Sequence, residues 1–385
     1  MNNANDCLVI GCGFAGAVAA RELAERAGKK VLIIDKRSHI GGNTYDYINS
    51  DGILVHKYGP HIFHTNSGRV FDYLSRFTQW RNYSHEVEAD IYGKLVPVPF
   101  NLNSLDMIFD QAKAQSIKQK LVEVYGMERR ITIFELQKQK DKELLELADF
   151  VHNNIFLHYT QKQWGVAPDE IDPSVTARVP ILVSYDNRYF QDKYQGIPSD
   201  GFTPLFEKLL DHPNIKLQLN TDSAEVFKIE EDRMLLDGKS FNGTVIYTGA
   251  LDELFDCRFS RLPYRTLDFL LETHDMTWYQ PKGTINYTVS ESFTRITEFK
   301  HLTGQDIPGK TTIMKEYPRD YTGAESEIPY YAIINPENIA LYEKYKQLTG
   351  GLKEFYLLGR LAEYKYYNMD AIIERALLLT DSIIC

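Results

Sequence analysis

Residues 7–16 read CLVIGCGFAG, and residues 31–35 read VLIID. Four apolar residues make a short buried strand, and Gly11, Gly13 and Gly16 follow in G-x-G-x-x-G spacing. Ala15, Val18, Ala19 and Leu23 then recur at helical intervals, which predicts a helix stopping near Gly28. A second apolar strand ends on Asp35, about twenty residues past the glycines. Strand, glycines, helix, strand and terminal acid in this order have one coherent physical use. The glycines let backbone approach a pyrophosphate, the helix N-terminus offers free N–H groups and a positive dipole, and the acid accepts from ribose hydroxyls. Gly11, Gly13, Phe14, Ala15 and Asp35 are the expected contacts.

The segment after Asp35 chooses between dinucleotides. Lys36 and Arg37 lead directly into HIGGN, with Gly41, Gly42 and Asn43. A nicotinamide enzyme would proceed to its third strand here. A second glycine pair brings more backbone to the same ligand, as a flavoprotein needs. The arrangement resembles the large FAD family that includes the amine oxidases. That resemblance implies FAD as cofactor, touched also by Lys36, Gly42 and Asn43. It also implies an α/β fold built on a Rossmann-like domain.

The 385 residues, 43% of them hydrophobic, are enough for two or three packing units. A net charge of -10 argues against nucleic acid or an anionic membrane as partner, so an anionic ligand needs a local arginine cluster. The start MNNANDCLVIG has no basic or long apolar leader, and no run approaches the roughly 18 apolar residues of a membrane span. Cys7, Cys12, Cys257 and Cys385 show neither metal-ligand nor framework spacing, which reads as a reduced cytoplasmic protein.

Along the chain, residues 101–160 are rich in Lys, Glu, Gln and Leu, with Leu144, Leu147, Ala148 and Val151 at helical spacing; a helical insertion is expected. The FAD-binding domain is expected to be discontinuous, from residues 1–85, 200–260 and 351–385. An antiparallel sheet and substrate domain takes 86–100, 161–199 and 261–350. The strand ending at Thr248 and Gly249 returns to the nucleotide. The closing stretch GRLAEYKYYNMD runs into a helix starting near Met369, with Asn368 suited to its N-cap. That helix N-terminus, with Arg360, Asn368, Met369 and Asp370, suits the pyrimidine end of a reduced flavin.

Seven stretches, IIDKRSHIGGNTYD, VHKYGPHIFHTN, YTQKQWG, YDNRYFQDKYQGIP, FTRITEFKH, KEYPRD and GRLAEYKYYNMD, lie in order from end to end. Together they resemble the bacterial-type UDP-galactopyranose mutases. The resemblance implies interconversion of UDP-galactopyranose and UDP-galactofuranose without net redox, through a covalent adduct between reduced-flavin N5 and the sugar. It also implies an external reductant such as NAD(P)H, a homodimer, and a role in cell-surface polysaccharide synthesis.

Residue by residue, Arg178 and Arg295 match the two phosphate arginines, and a forked guanidinium suits a diphosphate. Tyr189, Tyr317 and Tyr366 match tyrosines on the diphosphate, and Asn286 an asparagine on the substrate. Tyr159 and Trp164 match the uridine side, with Ile155, Phe156 and Thr160 beside them. Zinc would want convergent ligands, whereas His56, His61 and His64 lie on a strand-to-loop passage. The resemblance instead sets His61 and Ile62 against the flavin, with His61 donating near N5 or the C4 carbonyl. His64 supports the loop and His56 is structural.

The chain departs from the family pattern at four places. His85 stands for an asparagine on the nucleotide side, Leu157-His158 for Lys-Gly, Ile155 for an aromatic residue, and Asn368 for an acid. The first three border the nucleotide pocket, so a mutase for UDP-N-acetylgalactosamine or another nucleotide sugar is the alternative. A flavin oxidoreductase of amine-oxidase type is a third reading.

Overall fold

The computed structural model describes residues 5–165, 180–230 and 232–385. A five-stranded parallel sheet runs in the order Ile215–Gln218, Val31–Ile34, Cys7–Ile10, Thr244–Tyr247, Phe355–Leu357. Side chains alternate between its faces as a strand requires. Cys7, Val9, Val31 and Ile33 pack under the helices Phe14–Ala27, Phe202–Leu210 and Met369–Ile384. Leu8, Ile10, Leu32 and Ile34 pack on the other face against the hairpin Phe227–Glu230 and Arg233–Leu236. Both faces are covered, which explains uninterrupted apolar strands.

The helical unit contains Leu102–Ile108, Gln111–Tyr125, Ile133–Leu136 and Lys142–Val151. Asn101, Asp110, Thr132 and Asp141 cap these four helices by accepting from first-turn amides. Each cap is worth about 1 kcal/mol. Lys142–Val151 runs on through a π-turn, His152–Phe156, into Leu157–Trp164. A π-turn adds a residue to the helical repeat, so the side chains beyond it face a new direction.

A seven-stranded sheet forms the third layer, in the order Tyr331–Ala332, Tyr264–His274, Thr311–Asp320, Arg295–Glu298, Thr284–Tyr287, Val87–Ile91, Lys94–Val98. It is antiparallel except where Thr284–Tyr287 meets Val87–Ile91 in parallel. The strands within residues 180–199, a segment expected in the antiparallel sheet and substrate domain, pair outside this sheet, while Arg188 bridges Glu86 at the start of Val87–Ile91. Ile181–Leu182 joins Phe100–Asn101 and Arg130–Ile131, while Tyr194–Pro198 lies between Phe63–Thr65 and Trp80–Asn82. No described helix is long and apolar enough to cross a membrane.

Candidate active site

The glycine turn after Cys7–Ile10 opens into a cavity of about 820 Å³. Gly11, Gly13, Phe14, Ala15, Asp35, Lys36, Gly42 and Asn43 line it from the first domain segment, with Thr248 and Gly249 opposite. His61, Arg360, Asn368 and Met369 line it as well. Ile62 does not; it is buried against Ile197 and Leu302. Asp370 stays off the wall too, its carboxylate accepting from the Ala371 amide at 2.8 Å.

These residues fit a dinucleotide. Gly11 has φ +104, and a Cβ there would stand 2.0 Å from Thr248 Oγ1. Gly42 has φ +56, and its Cβ would meet Gly13 Cα at 2.9 Å, so the two glycine turns abut. Helix Phe14–Ala27 starts at Gly13 without a side-chain cap. Helix Met369–Ile384 starts at Asn368, whose side chain makes no cap bond despite its suitability. Two helix N-termini therefore carry uncapped amides at one cavity, as an anionic ligand requires. The Asp35 carboxylate accepts from Cys12 N at 2.7 Å and Arg37 N at 2.9 Å. One backbone amide on each oxygen fixes its aim and leaves lone pairs for ribose hydroxyls.

Several cavity residues escaped the sequence reading. Arg37 donates from Nη2 to Asn43 Oδ1 at 2.9 Å and lies over the Tyr58 ring. Its Nη1 is buried without a partner among the described residues. A second cation, two residues past the strand-end acid, was the available signal. Thr221, Asp222, Phe227 and Lys228 also line the wall, and nothing in their local sequence marks them.

Where the cavity reaches His61 and Arg360, a second region adjoins it. Asn286, Arg295 and Glu316 are register partners across three neighbouring strands. Arg295 Nε donates to Glu316 Oε1 at 2.6 Å. That contact does not commit the Nη groups. Burial opposes the charge on Arg295, yet Glu316 and Tyr159 hold its pKa well above the usual value. Asn286 Oδ1 is buried without a partner among the described residues. Burial raises the Tyr159 phenol to about 12 against the opposing field of Arg295, and Tyr189, Glu316 and Tyr366 act on the same hydroxyl. These groups share one site. Tyr366 joins it to the cavity, with the Arg360 guanidinium 4.5 Å from its ring centre.

The three histidines do different work. His61 Nδ1 lies 2.9 Å from the Gly59 carbonyl. A carbonyl only accepts, so Nδ1 carries the proton and Nε2 presents a lone pair. Burial, with the charges of His56, Arg360 and Arg295, lowers its pKa to about 3. His61 is therefore neutral and an acceptor at Nε2, which corrects the expectation that it donates. His56 accepts from the His61 amide at 3.0 Å and anchors the loop. His64 stacks on Phe190 at 3.6 Å and pairs with Asp192 at 3.1 Å.

His85 lies 3.2 Å from Tyr83 Oη and borders Tyr189 and Phe190. Burial and the charge on Arg295 lower its pKa to about 3.

Not every expected substrate residue reaches this region. Tyr317 alternates with Glu316 along its strand, so it projects from the opposite face, edge-on to Phe293. Tyr331, which sequence reading passed over, stacks on Tyr366 at 6.2 Å and acts electrostatically on Arg295. Ile155 and Phe156 are 3% and 1% exposed in the core of the helical unit, leaving no surface for a ligand. Thr160 is buried one residue beyond Tyr159. Arg178 and the Trp164 side chain lie outside the described residues.

Comparison with known proteins agrees with this geometry. The NAD(P)-binding Rossmann-like domain pattern matches residues 9–77, and that of UDP-galactopyranose mutase matches residues 154–366. A dTDP-fucopyranose mutase of Escherichia coli is 36% identical over 97% of each chain. A probable UDP-galactopyranose mutase of Klebsiella pneumoniae is 35% identical over 99% of this chain and 95% of its own. A crystal structure of reduced UDP-galactopyranose mutase superposes with a TM-score of 0.72 at 16% identity, covering 99% of this chain and 94% of that one. Fold and site define an FAD-binding isomerase built on a Rossmann-like domain. The chain belongs to the UDP-galactopyranose mutase family.

Proposed function

We propose that the protein interconverts UDP-galactopyranose and UDP-galactofuranose. The observation that carries this reading is the Arg295 cluster adjoining the flavin end of the cavity through His61, Arg360 and Tyr366. An oxidase needs an oxidisable carbon beside the flavin and has no use for a half-buried arginine among tyrosine hydroxyls. A sugar diphosphate leaving group has that use.

A reduced flavin held by the two glycine turns and the helix N-terminus at Met369 would supply a nucleophile, and ring contraction by that route would involve no net redox. This chain's residues supply the rest. Arg295 offers its Nη groups, which the Glu316 contact does not use, to the diphosphate, with Arg178 as second cation and Tyr189, Tyr331 and Tyr366 as hydroxyl donors. Asn286 offers its unpartnered Oδ1 to a sugar hydroxyl. His61 stays neutral and holds an acceptor lone pair at Nε2 for an N–H or O–H of the bound ligand. Asn368 and Met369 would set the helix N-terminus against a reduced flavin, whose negative charge its amides would favour.

A second reading is a mutase for a dTDP-linked 6-deoxyhexose. It is favoured by the similarity to a dTDP-fucopyranose mutase and by His85 in place of the family asparagine. Chemically reduced protein is incubated separately with UDP-galactose, UDP-N-acetylgalactosamine and dTDP-fucose, and furanose products are separated by chromatography. Furanose from UDP-galactose alone supports the first reading; furanose from dTDP-fucose alone replaces it. Peroxide formation with an amine would mark an oxidase. The reading further takes the protein as a cytoplasmic homodimer, drawing electrons from NAD(P)H and supplying furanose to surface polysaccharide.

A further inference from the structure

The helix Leu157–Trp164 carries Tyr159 and lies against the strand Thr311–Asp320, which carries Glu316. A helix end leaves carbonyls without partners inside the helix. Here two of them are taken by one cation. Arg265 Nε donates to the Gln163 carbonyl and Nη2 to the Lys162 carbonyl, each at 3.2 Å. Arg265 is 5% exposed, and its carboxylate partner Asp320 stands opposite it in the register of the neighbouring strand. A positive charge at a helix C-terminus is favourable in itself.

The same turn is held from the other side. Lys162 Nζ reaches the carbonyls of Tyr287 at 2.6 Å and Glu291 at 2.8 Å. Arg265 and Tyr287 belong to strands separated in the sheet by the two that carry Glu316 and Arg295. The helix end is thus tied at both flanks of the Arg295 row. Gly165 closes the helix at φ +72, where a Cβ would stand 2.5 Å from Arg265 Nη1. Arg265 is also the register partner of Tyr331, so its strand links the helix to the tyrosines.

We infer that Arg265, with Lys162, is a positioning residue that sets the height of the Tyr159 helix above Arg295 and thereby fixes nucleotide affinity. The nucleotide part rests on the reading proposed above. The test uses flavin-loaded protein and its variants Arg265→Met, Arg265→Lys and Lys162→Met. UDP affinity is measured by calorimetry, and amide hydrogen exchange is followed over residues 157–165. Arg265→Met should lose at least about tenfold in UDP affinity and exchange these amides at least about tenfold faster, with flavin content unchanged. Arg265→Lys should recover part of both, and Lys162→Met should shift both less.

Wild-type exchange in the Arg265→Met helix would overturn the inference, as would unchanged UDP affinity in a protein that binds UDP. If the wild-type chain binds no UDP, the proposed function fails while the exchange result still decides the tether. Should Arg265→Met not fold, Gly165→Ala replaces it, since its Cβ displaces the guanidinium. It must then speed exchange over 157–165, and wild-type protection there overturns the inference.

Discussion

Arg295 and Glu316 face each other across adjacent antiparallel strands, Nε donating to Oε1 over 2.6 Å. Glu316 is 1% exposed, so its charge has left water and depends on this partner. Removing one member of a buried pair costs more than the pair contributes, because the other charge is stranded. Glu316→Gln should therefore destabilise the fold by about 3 kcal/mol. Urea denaturation at neutral pH measures it, and an unchanged midpoint would show that the pair is solvated.

Arg295→Ala separates substrate from cofactor. Losing a charged phosphate contact that strengthens in the transition state costs about 3 kcal/mol, or roughly a hundredfold in kcat/KM. The variant should keep its full flavin absorbance, because Arg295 does not line the cavity. A yellow protein with less than about one hundredth of wild-type activity is the expected result. Loss of the flavin would show that the two regions are one.

Gly42→Ala tests the abutting glycine turns. At φ +56, with Gly13 Cα 2.9 Å from the new methyl, backbone must shift where the cofactor needs it. The protein should purify with little flavin. Gly52→Ala is the control, since φ is +79 there but nothing lies within 4 Å. It should cost about 1 kcal/mol of stability and keep its flavin.

Acid sensitivity follows from His61 and His85. Burial lowers both from the ordinary 6.5 to about 3, so the unfolded chain takes up protons first as pH falls. Stability is complete above about pH 6.5 and declines between there and about pH 3, by up to 1.4 kcal/mol per pH unit for each residue. Urea midpoints between pH 7.5 and 4.5 should show this slope, and His85→Asn should flatten it. An equal slope in that variant would mean that His85 is already accessible to protons.

The cofactor half of the molecule was legible because its residues obey local rules. Gly11, Gly42 and Asp35 are dictated by backbone approach and by the end of a strand, and Met369 by the start of a helix. The substrate half depends on which face a residue occupies. A motif match cannot tell Tyr317 from Tyr331, whereas strand alternation with Glu316 turns Tyr317 away. Ile155 and Phe156 lie within a π-turn, and an added helical residue leaves no mark in an apolar pattern. The wall from Thr221 to Lys228 is brought to the cavity by sheet pairing between distant segments, which local sequence does not encode.

The cavity takes amides from Phe14 and Ala15 near the beginning of the chain and from Met369 near its end, beside the edge strand Phe355–Leu357. A nascent polypeptide still missing residues 355–385 has neither that strand nor the second helix. The complete cavity therefore waits for residues 355–385, and a chain cut short before them lacks one of its two sources of helix amides.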